Sequence, residues 1–117
     1  MSKVTIYHNP RCSKSRSTLA LLEEQKESVN IIEYLDTPPS LDELDKICTK
    51  LDMEPLQLIR TKETLFKELG FSKNDQRRRK EWLQLMVDNP KLIERPIVLK
   101  GKKAALGRPP ESVLEIL

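Results

Sequence analysis

The sequence predicts an α/β fold on three observations: two short β-branched runs flanking a helical stretch, a long middle of helical periodicity, and a hairpin pattern followed by a closing helix. Lys3 to Tyr7 reads Lys-Val-Thr-Ile-Tyr, which fits a buried strand, and Asn9-Pro10 breaks it. From Ser13 through Glu24 the residues favour helix, with Leu19, Ala20 and Leu22 on an apolar side and Arg16, Glu23 and Glu24 on a polar one. Val29 to Tyr34 forms the second β-rich run. A helical crossover between two such strands predicts that they pair in parallel.

Thr37-Pro38-Pro39 stops that strand, and Ser40 with Glu43 writes a capping box at the head of a helix. Leu41, Leu44, Ile47, Cys48 and Leu51 form its apolar stripe. Pro55 suits the first turn of a short helix ending near Arg60, and Leu65 to Leu69 is a further helical piece closed by Gly70. Ser72 and Asp75 are expected to cap another helix, carrying Trp82, Leu85 and Met86 on one face and ended by Asn89-Pro90. After Pro96, Ile97-Val98-Leu99 and Ala104-Ala105-Leu106 flank a turn at Gly101, which reads as a hairpin. Pro110 and Glu111 then lead into a final amphipathic helix with Val113, Leu114, Ile116 and Leu117. One domain over residues 1–117 is expected, with a helical insertion at about 40–90 and no repeat or linker.

Composition narrows the function. In 117 residues, 33% charged, 38% hydrophobic and a net charge of +3 describe a chain that folds around one core. No stretch approaches the ~20 apolar residues of a membrane span. Lys3 and His8 interrupt the first apolar run, so no secretory leader is read there and a soluble, cytoplasmic protein is expected. The glycines, Gly70, Gly101 and Gly107, cannot write a phosphate loop or a dinucleotide fingerprint. His8, Cys12 and Cys48 are the only imidazole and thiol groups, too few for a four-ligand zinc site, and no metal site is expected.

Cys12 follows a strand and immediately precedes a helix, where free backbone N–H groups and the positive end of the helix dipole favour a thiolate. Arg11, Lys14 and Arg16 add positive charge, and such surroundings lower a thiol pKa. The bland reading is a buried, inert cysteine, which these polar flanks do not suggest. Cys12-Ser13-Lys14-Ser15 is the one-thiol counterpart of a C-x-x-C redox motif and carries no local resolving thiol. Phosphatase chemistry is not expected, because Arg16 stands too soon after Cys12 and position 18 holds Thr. Cys48 lies on an apolar stripe and reads as core.

His8 admits two readings, a base or hydrogen-bond partner for Cys12, or a polar residue ending a strand. Arg95-Pro96 and Arg108-Pro109 place two arginines in extended backbone beside the hairpin, where they converge on an anion or are solvated. The Arg77-Arg78-Arg79-Lys80 run points around most of a helix circumference and lacks interleaved aromatics, so it reads as solvated surface and no nucleic-acid partner is expected.

Tyr7-His8-Asn9-Pro10-Arg11-Cys12-Ser13-Lys14-Ser15-Arg16, the Arg60 region, Met86-Val87-Asp88-Asn89-Pro90, Arg95-Pro96-Ile97-Val98 and Gly107-Arg108-Pro109-Pro110-Glu111 together resemble the glutaredoxin-coupled arsenate reductases, over nearly the whole chain. In better-characterised members Gly-Thr follows the cysteine and a small residue commonly precedes it; here Ser13-Lys14 and Arg11 stand there. The resemblance implies a thioredoxin-like fold with a mixed four-stranded sheet, and a cis peptide at Arg95-Pro96. It implies Cys12 as nucleophile, His8 and Ser15 tuning its thiolate, and Arg60, Arg95 and Arg108 around the oxyanion. The implied activity is reduction of arsenate to arsenite, an oxidoreductase of arsenic detoxification with glutathione as co-substrate, glutaredoxin as partner, no tightly bound cofactor and a monomeric state. Two alternatives stand beside it. One is a monothiol glutathione-linked oxidoreductase acting on another oxyanion or thiol adduct. The other is a regulator of the same fold that binds RNA polymerase and senses oxidation through C-x-x-C, which Ser15 in place of the second cysteine disfavours.

Overall fold

Strand β1 (Val4–His8) pairs in parallel with β2 (Val29–Glu33), from Val4 against Val29 to His8 against Glu33. The connection between them is α1 (Ser13–Glu24), and a helical crossover enforces the parallel sense. The computed structural model from which these contacts are read describes residues 3–117. On its other edge β1 pairs antiparallel with β3 (Ile97–Lys100), which pairs antiparallel with β4 (Lys103–Leu106). The mixed four-stranded sheet has the order β2-β1-β3-β4. Gly101 at φ +60 makes the turn of the hairpin, in the left-handed region that favours glycine.

These strands, α1 and the chain from Arg95 to Leu117 form one compact unit with the described residues up to Thr37; Pro38–Glu94 forms a second. Alternation along β1 sends Val4 and Ile6 to one face, where they join Leu22 of α1, Val98 of β3 and Val113, all fully buried. Burying a side chain of that size contributes about 1.5–3 kcal/mol, so this cluster fixes the seat of α1 on the sheet. The closing segment Pro110–Ile116 is a 3₁₀ helix and not the expected amphipathic α-helix. A three-residue repeat places Val113 and Ile116 on one side against the core and leaves Leu114 41% exposed.

In the second unit, α2 (Leu41–Leu51) starts with the expected capping box, Ser40 Oγ accepting from Glu43 N–H at 3.1 Å and Glu43 Oε1 accepting from Ser40 N–H at 3.0 Å. Leu44, Ile47 and Cys48 are its buried residues. Then follow α3 (Pro55–Leu58), α4 (Thr64–Glu68), α5 (Arg79–Asp88) and a 3₁₀ turn at Pro90–Leu92. Two expected boundaries move. The Pro55 helix stops at Leu58, because Ile59 turns extended to bridge Ile93. Ser72 and Asp75 close a turn and do not cap α5: Ser72 N–H donates to Asp75 Oδ2 at 3.0 Å, and that same oxygen takes Arg77 Nε at 3.2 Å. The Arg77 guanidinium lies 4.3 Å from the centre of the Phe71 ring, and α5 begins only at Arg79. In the basic run, Arg79 pairs with Asp45 at 2.7 Å and Arg77 with Asp75 at 3.2 Å, and both side chains stay exposed to solvent over a third or more of their surface. No helix among the described residues is long and apolar enough to cross a membrane.

Candidate active site at Cys12

The loop between β1 and α1 is closed by its own asparagine. Asn9 Oδ1 accepts from Arg11 N–H at 3.0 Å, and Asn9 O accepts from Cys12 N–H at 3.0 Å. This leaves Cys12 at the N-cap of α1 in extended backbone, with no acidic residue in the first helical turn. The side chain is partly buried. Burial pushes its thiol pKa up, but backbone N–H groups of Ser15 and Lys14 donating to the sulfur, and the charges of Arg95 and Arg108, outweigh it and hold the pKa below the ordinary thiol value.

Ser15, fully buried, ties the strand to the helix: its Oγ accepts from Asn9 N–H at 3.0 Å and lies 2.7 Å from His8 Nδ1. Burial lowers the His8 pKa, Glu33 opposing it and Arg16 adding to it, so the imidazole is neutral near pH 7. A hydroxyl that already accepts from an amide has its proton to give, and a neutral ring takes it at Nδ1; the inferred tautomer carries its own proton on Nε2. His8 therefore meets Ser15 and not the thiol. Ser15, which it holds, is the residue whose backbone N–H donates to the sulfur.

Arg95 and Arg108 come to the same thiol from the segments entering β3 and leaving β4. Arg108 Nη1 donates to Arg95 O at 3.1 Å, and Gly107 N–H donates to Pro96 O at 2.9 Å. The Arg95-Pro96 peptide is cis, as the resemblance implies, and Arg108-Pro109 is cis as well. Gly107 is held so closely that a Cβ there would overlap Thr18 Oγ1 of α1 and lie 2.7 Å from Pro96 Cγ. The absence of a side chain thus lets Arg108 leave the sheet directly beside the helix that carries Cys12. The Nε and Nη1 atoms of Arg95 are buried with no hydrogen-bond acceptor among the described residues. Buried guanidinium donors without a partner are uncommon, and charged N–H groups of this kind are good donors to oxyanions.

Arg60 has different company. It sits in the second unit, its guanidinium paired with Glu63 and, through Nε, 3.4 Å from Glu94 Oε1. Cys48 is fully buried in α2; burial pushes its thiol up to about 11, with Arg79 opposing and Asp45 and Glu54 adding to the rise. Sequence reading missed the close approach at Gly107 and the unpartnered donors of Arg95. The repeated Arg-Pro pair was the only local signal for either.

A thioredoxin-like sheet with a thiol of lowered pKa at the head of its first helix, and the charges of Arg95 and Arg108 acting on that thiol, defines the class by its fold. The profile of the ArsC family matches residues 7–116, and the chain belongs to that family. It is 46% identical to the arsenate reductase of Neisseria meningitidis, with both chains covered in full. It is 48% identical to the arsenate reductase of Haemophilus influenzae over 97% of this chain and 98% of that one. Among solved structures, the arsenate reductase from Vibrio cholerae superposes with a TM-score of 0.94 at 49% identity, covering 99% of this chain and 98% of that one.

Proposed function

We propose that the chain reduces arsenate to arsenite through Cys12, with glutathione as the thiol co-substrate and glutaredoxin regenerating the enzyme. The observation that carries this reading is the pairing of a thiol of lowered pKa with the unpartnered buried N–H groups of Arg95. The Cys12 thiolate attacks arsenic, an S–As bond forms, and one arsenate oxygen leaves as water with arsenic still in its higher oxidation state. Arg95 and Arg108 offset charge on the remaining oxygens. Arg60 joins them in this reading on the family resemblance alone.

Glutathione thiolate then attacks Cys12 Sγ; the S–As bond breaks, its electron pair stays on arsenic, and arsenite departs as the two sulfurs form a mixed disulfide. A second glutathione, acting through glutaredoxin, takes the glutathionyl sulfur and restores the Cys12 thiolate. Fully buried Cys48 supports the need for an external thiol. The test is arsenate-dependent NADPH oxidation with glutathione, glutathione reductase and glutaredoxin. Wild-type turnover is expected and Cys12→Ser is expected to abolish it; equal rates would overturn the reading.

A further inference from the structure

On the β2 side of the Cys12 loop lies a cavity of about 290 Å³ lined by His8, Asn9, Pro10, Arg11, Glu33, Leu35 and Asp36. Its size is near the lower end of small-molecule sites, about 300–1,000 Å³. The parallel register builds it: His8 stands opposite Glu33, so the loop leaving β1 and the turn leaving β2 emerge side by side. Arg11, Glu33 and Asp36 form no side-chain ion pair among the described residues, although they share one cavity wall. Leu35 on the same wall is 45% exposed and offers an apolar surface to the space. His8, which also lines the space, has Nδ1 taken up by Ser15, so Nε2 is its other ring nitrogen.

We propose that this cavity is the subsite for the thiol co-substrate and that it holds the γ-glutamyl end of glutathione; the assignment rests on the glutathione dependence proposed above. That end carries an ammonium and a carboxylate on one carbon, so it needs anionic and cationic groups within a few ångströms of each other. Glu33 and Asp36 supply the first and Arg11 the second. His8 Nε2–H donates to an amide carbonyl of the tripeptide, and Leu35 covers its methylenes. The cavity shares Arg11 and Asn9 with the turn that delivers Cys12, so a peptide seated there has its sulfur directed to the loop that bears the thiol.

The test measures steady-state KM for glutathione and for arsenate in Glu33→Gln, Asp36→Asn and the double variant, with far-UV circular dichroism as the check on folding. The double variant is expected to raise KM for glutathione about tenfold, each single variant less, with KM for arsenate unchanged. In parallel, S-methylglutathione, which cannot react, is titrated into ¹⁵N-labelled protein, and shifts are expected at the amides of Leu35 and Asp36. An active wild type whose glutathione KM is indifferent to both substitutions, or shifts confined to other residues, would overturn the subsite. An inactive wild type that still shows the Leu35 and Asp36 shifts would overturn the proposed reaction and leave the subsite standing.

Discussion

Cys12 and Cys48 carry the same side chain into opposite surroundings. Cys12 stands ahead of α1, where Ser15 and Lys14 present N–H groups and Arg95 and Arg108 present positive charge; its thiol is held below the ordinary value despite burial. Cys48 lies in the later part of α2, fully buried, with Asp45 and Glu54 as its acidic neighbours; its thiol is pushed to about 11. Burial raises both thiols, and at fully buried Cys48 it prevails even against the opposing charge of Arg79. At partly buried Cys12 the donated N–H groups and two arginines outweigh it.

The strongest way to break this contrast is alkylation with iodoacetamide at pH 7, followed by peptide mass spectrometry. A thiol of pKa about 11 is ionised to roughly one part in 10⁴ at that pH. Cys12, held below the ordinary thiol value, is therefore expected to react more than about 10²-fold faster than Cys48 in the folded protein. Comparable rates would mean that the two environments do not differ as described.

Arg95→Ala sharpens the contrast by removing one cation from the Cys12 side only. We expect arsenate kcat/KM to fall about 10²-fold, as for loss of one preorganised oxyanion donor. The pH profile of Cys12 alkylation should move toward the ordinary thiol value, yet thiol–disulfide exchange should persist because the Ser15 and Lys14 amides stay in place. Retention of full arsenate turnover would remove Arg95 from the site.

The smallest effect is in acid. The folded pKa of His8 lies below its unfolded value of about 6.5, so the unfolded chain binds the proton first. The stabilisation is complete above that value and is lost as pH falls through the lower, folded one. Between pH 8 and pH 5 the urea midpoint should therefore drop slightly more for wild type than for His8→Gln. An equal drop would mean that the His8–Ser15 link to the Cys12 helix carries no proton dependence.

Much of the fold was legible because short-range patterns decide it. The β1-α1-β2 order follows from periodicity and Asn9-Pro10, the start of α2 from Ser40 and Glu43, and the hairpin from Gly101. What could not be read depends on contacts between residues distant in sequence or on competition for one group. Asp75 looks like a helix cap, yet Ser72 and Arg77 claim its carboxylate first. Arg60 looks like a free cation, yet Glu63 and Glu94 meet it. At the candidate site, the position of Cys12 before a helix was evident, whereas the role of His8 was open on spacing and turns on a single hydrogen bond to Ser15. The cavity beside Glu33 exists only because of strand register.

The unpartnered Nε and Nη1 of Arg95 also bear on how the protein behaves in a test tube. A buried donor without an acceptor costs the native state about 1–3 kcal/mol. An oxyanion that satisfies it binds the folded chain and not the unfolded one, and at a hundredfold excess over Kd such a ligand adds about 2.7 kcal/mol. The melting temperature should then climb and saturate with arsenate concentration, unlike the steady drift that excluded salts produce. Purification in a buffer rich in tetrahedral anions would thus yield a longer-lived preparation than one in chloride, with shelf life set by the same guanidinium.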